Sequence, residues 1–214
     1  MALLKDKISN IPPEAIILTR EDALKHQSDV LKKWKHLGDV WPIRFGGTIL
    51  ASLGALSGIY VNNHYRTRFK LLNYGRMSSY LPTCVIPAVM CLAFHTELVL
   101  PGVVLQDECP SCTELRAASI QATVGVVLPT VLASMSSFSL AVRCGTYNIP
   151  YITQEPMKAF NLWKMKTLPI KNVLFAIFLG QALAGSVVTY LEVKSIEKVN
   201  DRLTLLGYEL ENDI

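Results

Sequence analysis

Charged side chains are scarce in this sequence of 214 residues. Lys, Arg, Asp and Glu together make up 18% of the chain, whereas about a quarter of an ordinary soluble domain is charged. Half of the residues are hydrophobic, and the mean hydropathy is +0.31. The charges that do occur are grouped into blocks, which leaves long uncharged intervals. Because so few charges cannot cover a globular surface, the composition indicates an integral membrane protein.

Four uncharged intervals approach or exceed the length of about 20 residues that a helix needs to cross a bilayer. Within hydrocarbon every backbone polar group must find a partner inside the protein, so these segments are predicted to be helices. We therefore predict an all-α polytopic membrane protein whose four-helix transmembrane bundle occupies residues 45–191. A polar C-terminal tail, 192–214, follows it. The predicted spans are about 45–63, 77–96, 117–142 and 172–191.

Residues 1–44 form a polar N-terminal arm. Thr19-Arg20-Glu21-Asp22 resembles a capping box and precedes apolar residues at roughly helical spacing: Ala23, Leu24, Leu31, Trp34 and Leu37. This pattern predicts an amphipathic helix of about four turns, which packs on the bundle, the membrane surface or a partner.

The arm begins without the apolar stretch of a secretory signal, and its early acidic residues are not typical of a mitochondrial presequence. We therefore expect internal targeting signals.

Small residues follow one face in two of the predicted spans. In the first span these residues are Gly47, Ala51, Gly54 and Gly58, and in the fourth they are Ala176, Gly180 and Ala184. Small side chains allow close helix approach where lipid supplies no hydrophobic drive between helices. The two faces are predicted to pack against each other or against the helices of a partner protein.

Other residues of the spans predict local features of the bundle. Gln121 and Gln181 are polar at depth, and we expect them to form hydrogen bonds across the bundle. Proline in a helix removes a backbone donor and favours a kink, which is expected at Pro82, Pro87 and Pro129.

The sequence lacks the usual patterns of catalytic and cofactor sites. It has no Gly-rich phosphate loop, no Ser with a His and an acid arranged around it, and no alternation of basic and aromatic residues typical of a nucleic-acid surface. His95, near the end of a span, is expected at the membrane interface, and the four histidines show no metal-ligand spacing: His26, His36, His64 and His95. We therefore predict a protein that is not an enzyme and has no catalytic, cofactor or metal site.

One cysteine pair stands out just before the third span, in Cys109-Pro110-Ser111-Cys112. A Cys-x-x-Cys pair at a helix start can act as a redox dithiol, because the helix N-terminus lowers the pKa of the thiol. One pair supplies too few ligands for a structural zinc site, which needs four. The alternatives are a structural disulfide between Cys109 and Cys112 or two free thiols.

Basic residues are divided equally between the two sides of the predicted topology. Near the spans, loops 62–76 and 143–171 together carry as many Lys and Arg as the loop 97–116 and the two terminal regions. The positive-inside rule, which counts these residues, therefore gives no orientation. The density of basic residues in the first and third loops, and the acidity of the second loop, favour placing the first and third loops on the electrically negative side.

From the second loop onward, the sequence resembles the transmembrane protein 126 family of the mitochondrial inner membrane. The resemblance begins at residues 107–113, Asp-Glu-Cys-Pro-Ser-Cys-Thr, which are similar to the family's acidic Cys-x-x-Cys-Thr signature. Its specific part covers about residues 105–190, whereas the arm shows no match. It includes Leu128-Pro129, Arg143, Ile149-Pro150, Trp163, Pro169 and Lys171.

This resemblance implies a non-catalytic scaffold of the mitochondrial inner membrane. In that membrane, the placement of the first and third loops on the electrically negative side, which the loop charges favour, would put both termini in the intermembrane space. The implied role is assembly of the membrane arm of respiratory complex I (NADH:ubiquinone oxidoreductase). Its implied partners are the lipid bilayer, membrane-arm subunits and other assembly factors, including an acyl-CoA-dehydrogenase-like flavoprotein. No cofactor and no nucleic acid are expected.

Two alternatives remain from the residues themselves. A membrane dithiol oxidoreductase would use the Cys109–Cys112 pair, but enzymes of the quinone-linked and vitamin K epoxide reductase type need a second cysteine pair borne on a loop, which this sequence lacks. A small-solute carrier or channel is disfavoured because the predicted spans contain no charged residue, the usual mark of an ion path.

Overall fold

The computed structural model describes residues 18–106, 109–147 and 155–212, with side chains up to residue 205. All regular structure in these ranges is helical: a short 3-10 helix, Leu168–Ile170, and six longer helices that we number in chain order. Four stretches are long and apolar enough to cross a membrane, which confirms the all-α polytopic fold. The helices are α1 (Arg20–Lys33), α2 (Leu37–Arg68), α3 (Arg76–Leu105), α4 (Pro110–Cys144), α5 (Pro156–Thr167) and α6 (Lys171–Asn212).

The long helices extend well beyond the predicted spans. Helix α2 has 32 residues and α6 has 42, so at 1.5 Å per residue α2 is about 48 Å long. The hydrocarbon core of a bilayer is only about 30 Å thick. The bundle therefore continues outside the membrane, and the additional turns carry charged residues that the sequence suggested as span boundaries.

Helix α1 lies beside the membrane bundle; it is capped at its N-terminus and hydrogen-bonded to α2 at its C-terminus. The hydroxyl of Thr19 accepts a hydrogen bond from the backbone N–H of Asp22 at 3.2 Å, as the capping pattern predicts. At the other end, the Arg44 side chain of α2 donates to the carbonyls of Leu31 at 3.3 Å and Trp34 at 3.4 Å. The helix ends at Lys33, because the backbone of Trp34 is extended, and Leu37 begins α2. The prediction that one helix carries the apolar residues from Ala23 to Leu37 is therefore wrong at its C-terminal end.

Helices α3 and α4 each contain one π turn, at His95–Val99 and Thr123–Val127. A proline follows each turn by two residues, Pro101 and Pro129. Proline has no N–H to donate to the carbonyl four residues earlier, which for Pro129 is the carbonyl of Gly125. The Ser57 hydroxyl of α2 donates to this carbonyl, so a neighbouring helix supplies the missing donor. Kinks at the predicted prolines stay a prediction.

Helix α2 packs against α3, α4 and α6 and forms the centre of the bundle. Its glycine face lies on α3: a Cβ at Gly54 would be 3.1 Å from Cys91 Sγ, and one at Gly58 would be 2.1 Å from the Thr83 carbonyl oxygen. Only a residue without a side chain fits at the second position. Pro87 lacks the N–H that would bind the Thr83 carbonyl, so Gly58 packs where that oxygen is exposed to α2.

Two apolar clusters close the ends of the bundle. The first cluster lies at the end of the bundle that carries α1, and it joins α1, α2, α3, α4 and α6. The second cluster lies at the opposite end, is rich in aromatic residues and surrounds the first loop. The Phe69 ring in the second cluster lies 4.9 Å from the Phe138 ring and 5.5 Å from the Tyr147 ring, between centroids. The two ends are therefore sealed by packed side chains and not only by lipid.

Candidate functional site

Two glutamines form a polar layer in the middle of the bundle. Gln121 of α4 donates to the side-chain oxygen of Gln181 at 2.6 Å and to the backbone carbonyl of Leu50 at 3.0 Å. Gln181 of α6 donates to the carbonyl of Leu53 at 2.9 Å. Three helices are thus joined through hydrogen bonds that lipid cannot replace. The prediction that these glutamines bond across the bundle is confirmed.

A histidine and a glutamate form a buried pair nearer the end of the bundle that carries α1. His95 Nε2 lies 2.8 Å from Glu192 Oε1, and both side chains are at least 96% buried. Glu192 Oε2 is buried without a hydrogen-bond partner among the described residues. Gly46 leaves space for this carboxylate, because a Cβ there would be 2.6 Å from Oε1.

The expected interfacial position of His95 is therefore wrong. Its ring points into the bundle because Glu192, 97 residues later, provides a partner there. A buried polar side chain requires such a partner, since its desolvation is costly. In the sequence, Glu192 marks only the end of the predicted fourth span, and nothing local to either residue indicates the pairing.

A second charged cluster joins the start of α2 to the extension of α6. The carboxylate of Asp39 lies 2.7 Å from Lys198 Nζ and 3.2 Å from Arg202 Nη1. The Trp34 indole N–H donates to the same carboxylate at 3.4 Å, and the Ser195 hydroxyl donates to the Asp39 backbone carbonyl. These contacts fix the position where α1, α2 and α6 meet.

Arg66 is buried at the opposite end of the bundle. Its guanidinium donates to Ser79 Oγ and to the Leu72 carbonyl, both at 2.7 Å, and to the Tyr74 carbonyl at 2.9 Å. The carbonyls belong to the first loop, where Leu72 and Gly75 have positive φ angles. Arg66 therefore stabilises the tight conformation of the first loop. With Glu192, it shows that the helices bury ionisable side chains beyond the predicted intervals.

Cys109 and Cys112 are joined by a disulfide at the start of α4. Cys109 is the N-cap residue, and its sulfur accepts a hydrogen bond from the Cys112 N–H at 3.2 Å. Both cysteines are exposed. The free cysteines are Cys84, Cys91 and Cys144, of which the first two lie in α3 and the third at the end of α4. In the described part of the chain, no second pair adjoins the disulfide.

The small-residue face of α6 does not pack against the glycine face of α2. Ala176 and Gly180 are exposed, and a Cβ at Gly180 would have no atom within 4 Å. The small residue of α6 that does pack closely is Gly185, where a Cβ would be 2.9 Å from the Ala117 carbonyl oxygen. The predicted internal seam between the two faces is wrong, because α3 covers the glycines of α2. The alternative, contact with a partner, stays a prediction.

An open groove of about 420 Å³ runs beside this uncovered face. Helix α2 contributes Leu53, Leu56 and Tyr60 to its lining, and α6 contributes Ile177 and Gly180. The lining is mainly apolar, which fits the packing of lipid or a helix and not the binding of a charged solute. Within the described ranges, no group of three His, Cys, Asp or Glu side chains could hold a metal ion.

Comparison with known proteins agrees with this architecture. The sequence profile of transmembrane protein 126 matches residues 26–204. Transmembrane protein 126 of Drosophila melanogaster is 38% identical over 216 aligned positions, which cover 100% of this chain and 95% of that protein. Transmembrane protein 126A of Rattus norvegicus and that of Mus musculus are each 26% identical over 145 positions, 67% of this chain and 71% of each relative. No solved structure matches the chain.

The match is longer than the sequence motifs indicated. It begins at residue 26, within the arm, and not near residue 105. The expectation that the arm shows no match is therefore wrong: the profile includes residues 26–44, with the second half of α1 and Asp39, and the Drosophila relative aligns along the whole arm. Because the profile covers most of the sequence and a relative aligns along all of it, the chain belongs to the transmembrane protein 126 family.

Proposed function

We propose that this chain is a non-catalytic scaffold of the mitochondrial inner membrane that assists assembly of the membrane arm of respiratory complex I. The role is the one that family membership implies. One observation from the bundle supports it: the small-residue face of α6, Ala176 and Gly180, is left uncovered beside an apolar groove. Close packing through small residues is the main means by which helices associate in a bilayer.

The mechanism follows from the shape of the groove. A single-span or multi-span subunit would lay one helix against Gly180, between the side chains of Leu56 and Ile177, while its final neighbours are missing. The hydrogen bond from Gln181 to the Leu53 carbonyl joins α6 to α2, and the bond from Gln121 to Gln181 joins α4 to α6, so the groove keeps its width without a partner. The arm and the charged loops would contact the soluble assembly partners, including the acyl-CoA-dehydrogenase-like flavoprotein.

Complexome profiling tests the proposal. Mitochondria from cells that express only the wild-type chain or the Gly180→Leu variant are solubilised gently, separated on native gels and analysed by mass spectrometry along the lane. We expect the wild-type chain to co-migrate with partial complex I species. Leucine fills the groove without touching the packed core, so the variant should lose most of this co-migration.

The matched control is Ser139→Leu, an equally bulky change at an exposed position of α4. It should leave co-migration unchanged. Migration of the wild-type chain only with the mature enzyme would contradict assembly and indicate a resident component. Migration alone at low mass would contradict any scaffold role. If Gly180→Leu and Ser139→Leu co-migrated with partial complex I species to the same extent, the groove would not be the binding site for the subunit.

A further inference from the structure

We propose that the junction of α1, α2 and α6 binds an anionic phospholipid, in a cleft that is separate from the groove of the proposed function. The cleft has a volume of about 620 Å³, within the range of pockets that hold small ligands. Its apolar wall consists of Val30 of α1, Trp34 at the C-cap of α1, and Leu205 of α6. The site thus combines the end of the arm with the extension of the last helix.

The remaining lining is basic. Lys33, Lys35, Arg202 and the imidazole of His36 surround the apolar wall, and among the residues whose side chains the structure describes, none that lines the cleft is acidic. Arg202 is paired with Asp39. By contrast, the ammonium groups of Lys33 and Lys35 form no hydrogen bond or ion pair in the described part of the chain. Two unpaired ammonium groups beside an apolar surface fit a ligand that carries a phosphate next to hydrocarbon.

The position of the cleft favours a lipid over a soluble ligand of the same chemistry. Directly after His36, α2 exposes a stripe of large apolar side chains, Leu37, Trp41 and Phe45, which are 54%, 42% and 53% exposed. Tryptophan is enriched where a helix passes the headgroup layer. The stripe leads from the predicted span up to the basic rim, so an acyl chain on α2 would end with its headgroup at Lys33 and Lys35.

The geometry of the junction is fixed before any lipid binds. Arg44 holds the last carbonyls of α1, and Asp39 holds both Trp34 and Arg202. The two walls of the cleft are therefore tied to the same turns of α2. Clusters of Lys and Arg beside a membrane span attract anionic lipid, each residue by about 1 kcal/mol, which corresponds to about fivefold in affinity.

Fluorescence quenching by a lipid with brominated acyl chains tests the proposal on the full chain. In a Trp41→Phe/Trp163→Phe background only Trp34 emits, and it is measured in phosphatidylcholine vesicles that contain increasing amounts of brominated phosphatidylglycerol. We expect saturable quenching, with little effect of brominated phosphatidylcholine. Lys33→Gln/Lys35→Gln should weaken the apparent affinity about 25-fold, because two basic side chains that contribute about fivefold each are lost.

The control is Lys25→Gln/Lys32→Gln, which removes the same charge from exposed positions of α1 that do not line the cleft. If this variant weakens quenching as much, the attraction is general and the cleft proposal is wrong. Displacement of the lipid by millimolar inorganic phosphate would indicate a site for free phosphate. Displacement by an acidic peptide, with no selectivity between the two lipids, would indicate a protein partner. Either result would overturn the proposal.

Discussion

Close contact at one residue decides how α2 and α3 pack. A Cβ at Gly58 would lie 2.1 Å from the backbone oxygen of Thr83, and a backbone atom cannot rotate away. Gly58→Ala should therefore separate the helices. Overpacking costs about 1–3 kcal/mol and the better helix propensity of alanine offsets up to about 1 kcal/mol, so we expect a net loss of stability of about 1–2 kcal/mol.

Unfolding by sodium dodecyl sulfate in mixed micelles, followed by circular dichroism, measures this loss. Gly180→Ala is the matched control, because a Cβ there meets no atom within 4 Å. That variant should be neutral or more stable by up to about 1 kcal/mol. If both variants unfolded at the same detergent fraction as the wild type, the close α2–α3 contact would be contradicted.

The His95–Glu192 pair gives a second prediction at the residue scale. Glu192→Leu leaves a buried imidazole without its partner, and His95→Leu leaves a buried carboxylate. Removing one member of a buried pair costs about 3–5 kcal/mol, whereas an apolar replacement of both is often close to neutral. We expect each single variant to lose about 3 kcal/mol and the double variant to lose clearly less than the sum. Additive losses in the same unfolding assay would show that the two side chains do not interact.

These residues also show what could be predicted from the sequence. Gln121 and Gln181 each lie inside an apolar stretch, so a bonded position in the bundle was the only low-energy arrangement. His95 and Glu192 lie at the ends of such stretches, where exposure to water is equally consistent with the local sequence. Their pairing depends on how α3 and α6 are placed, which no short-range pattern contains.

At the scale of whole helices, the sequence predicts existence better than extent. The four spans were located because hydrocarbon excludes charge, but helix formation itself does not stop at a charged residue. Helix α6 continues past Glu192 because that carboxylate is buried against α3 and because Lys198 is paired with Asp39. The packing of the glycine face was missed for a similar reason: small-residue spacing identifies a close contact but not the helix that makes it.

The attachment of α1 gives a prediction at the element scale. Arg44 donates to carbonyls in the last turn of α1 and just beyond it, so Arg44→Gln should loosen this end. We expect faster amide hydrogen exchange in the last turn, around Val30 to Lys33, on the order of tenfold if about 1–2 kcal/mol of hydrogen bonding is lost. Exchange in the middle of α2 should be unchanged.

The control for this change is Arg143→Gln, an exposed arginine at the end of α4. It removes the same charge but touches no part of α1. Mass spectrometry of peptides from the detergent-solubilised chain gives the exchange rates of both variants. Unchanged protection of α1 in Arg44→Gln would mean that the apolar contacts of Leu31 alone hold the helix.

At the scale of the whole molecule, the question is whether the disulfide serves structure or chemistry. The Cys109–Cys112 bond closes a very short loop at an exposed helix start. Cross-links of short loops remove little entropy from the unfolded chain, so Cys109→Ser/Cys112→Ser should cost no more than about 2 kcal/mol. Under the proposed scaffold role, the variant should retain its native-gel co-migration with partial complex I species at near wild-type abundance.

The oxidoreductase alternative predicts the opposite combination. If the pair exchanges electrons with a substrate dithiol, the same variant would keep a stable bundle but lose turnover of that substrate. Complex I intermediates would then accumulate only at the step that needs the disulfide of the substrate. Cys144→Ser, at an exposed free cysteine, controls for the loss of a thiol. Native gels report assembly, and maleimide labelling of intact mitochondria reports the redox state of the pair. Loss of co-migration in the double variant, with normal unfolding behaviour and a normal Cys144→Ser control, would contradict a purely structural disulfide and favour dithiol chemistry.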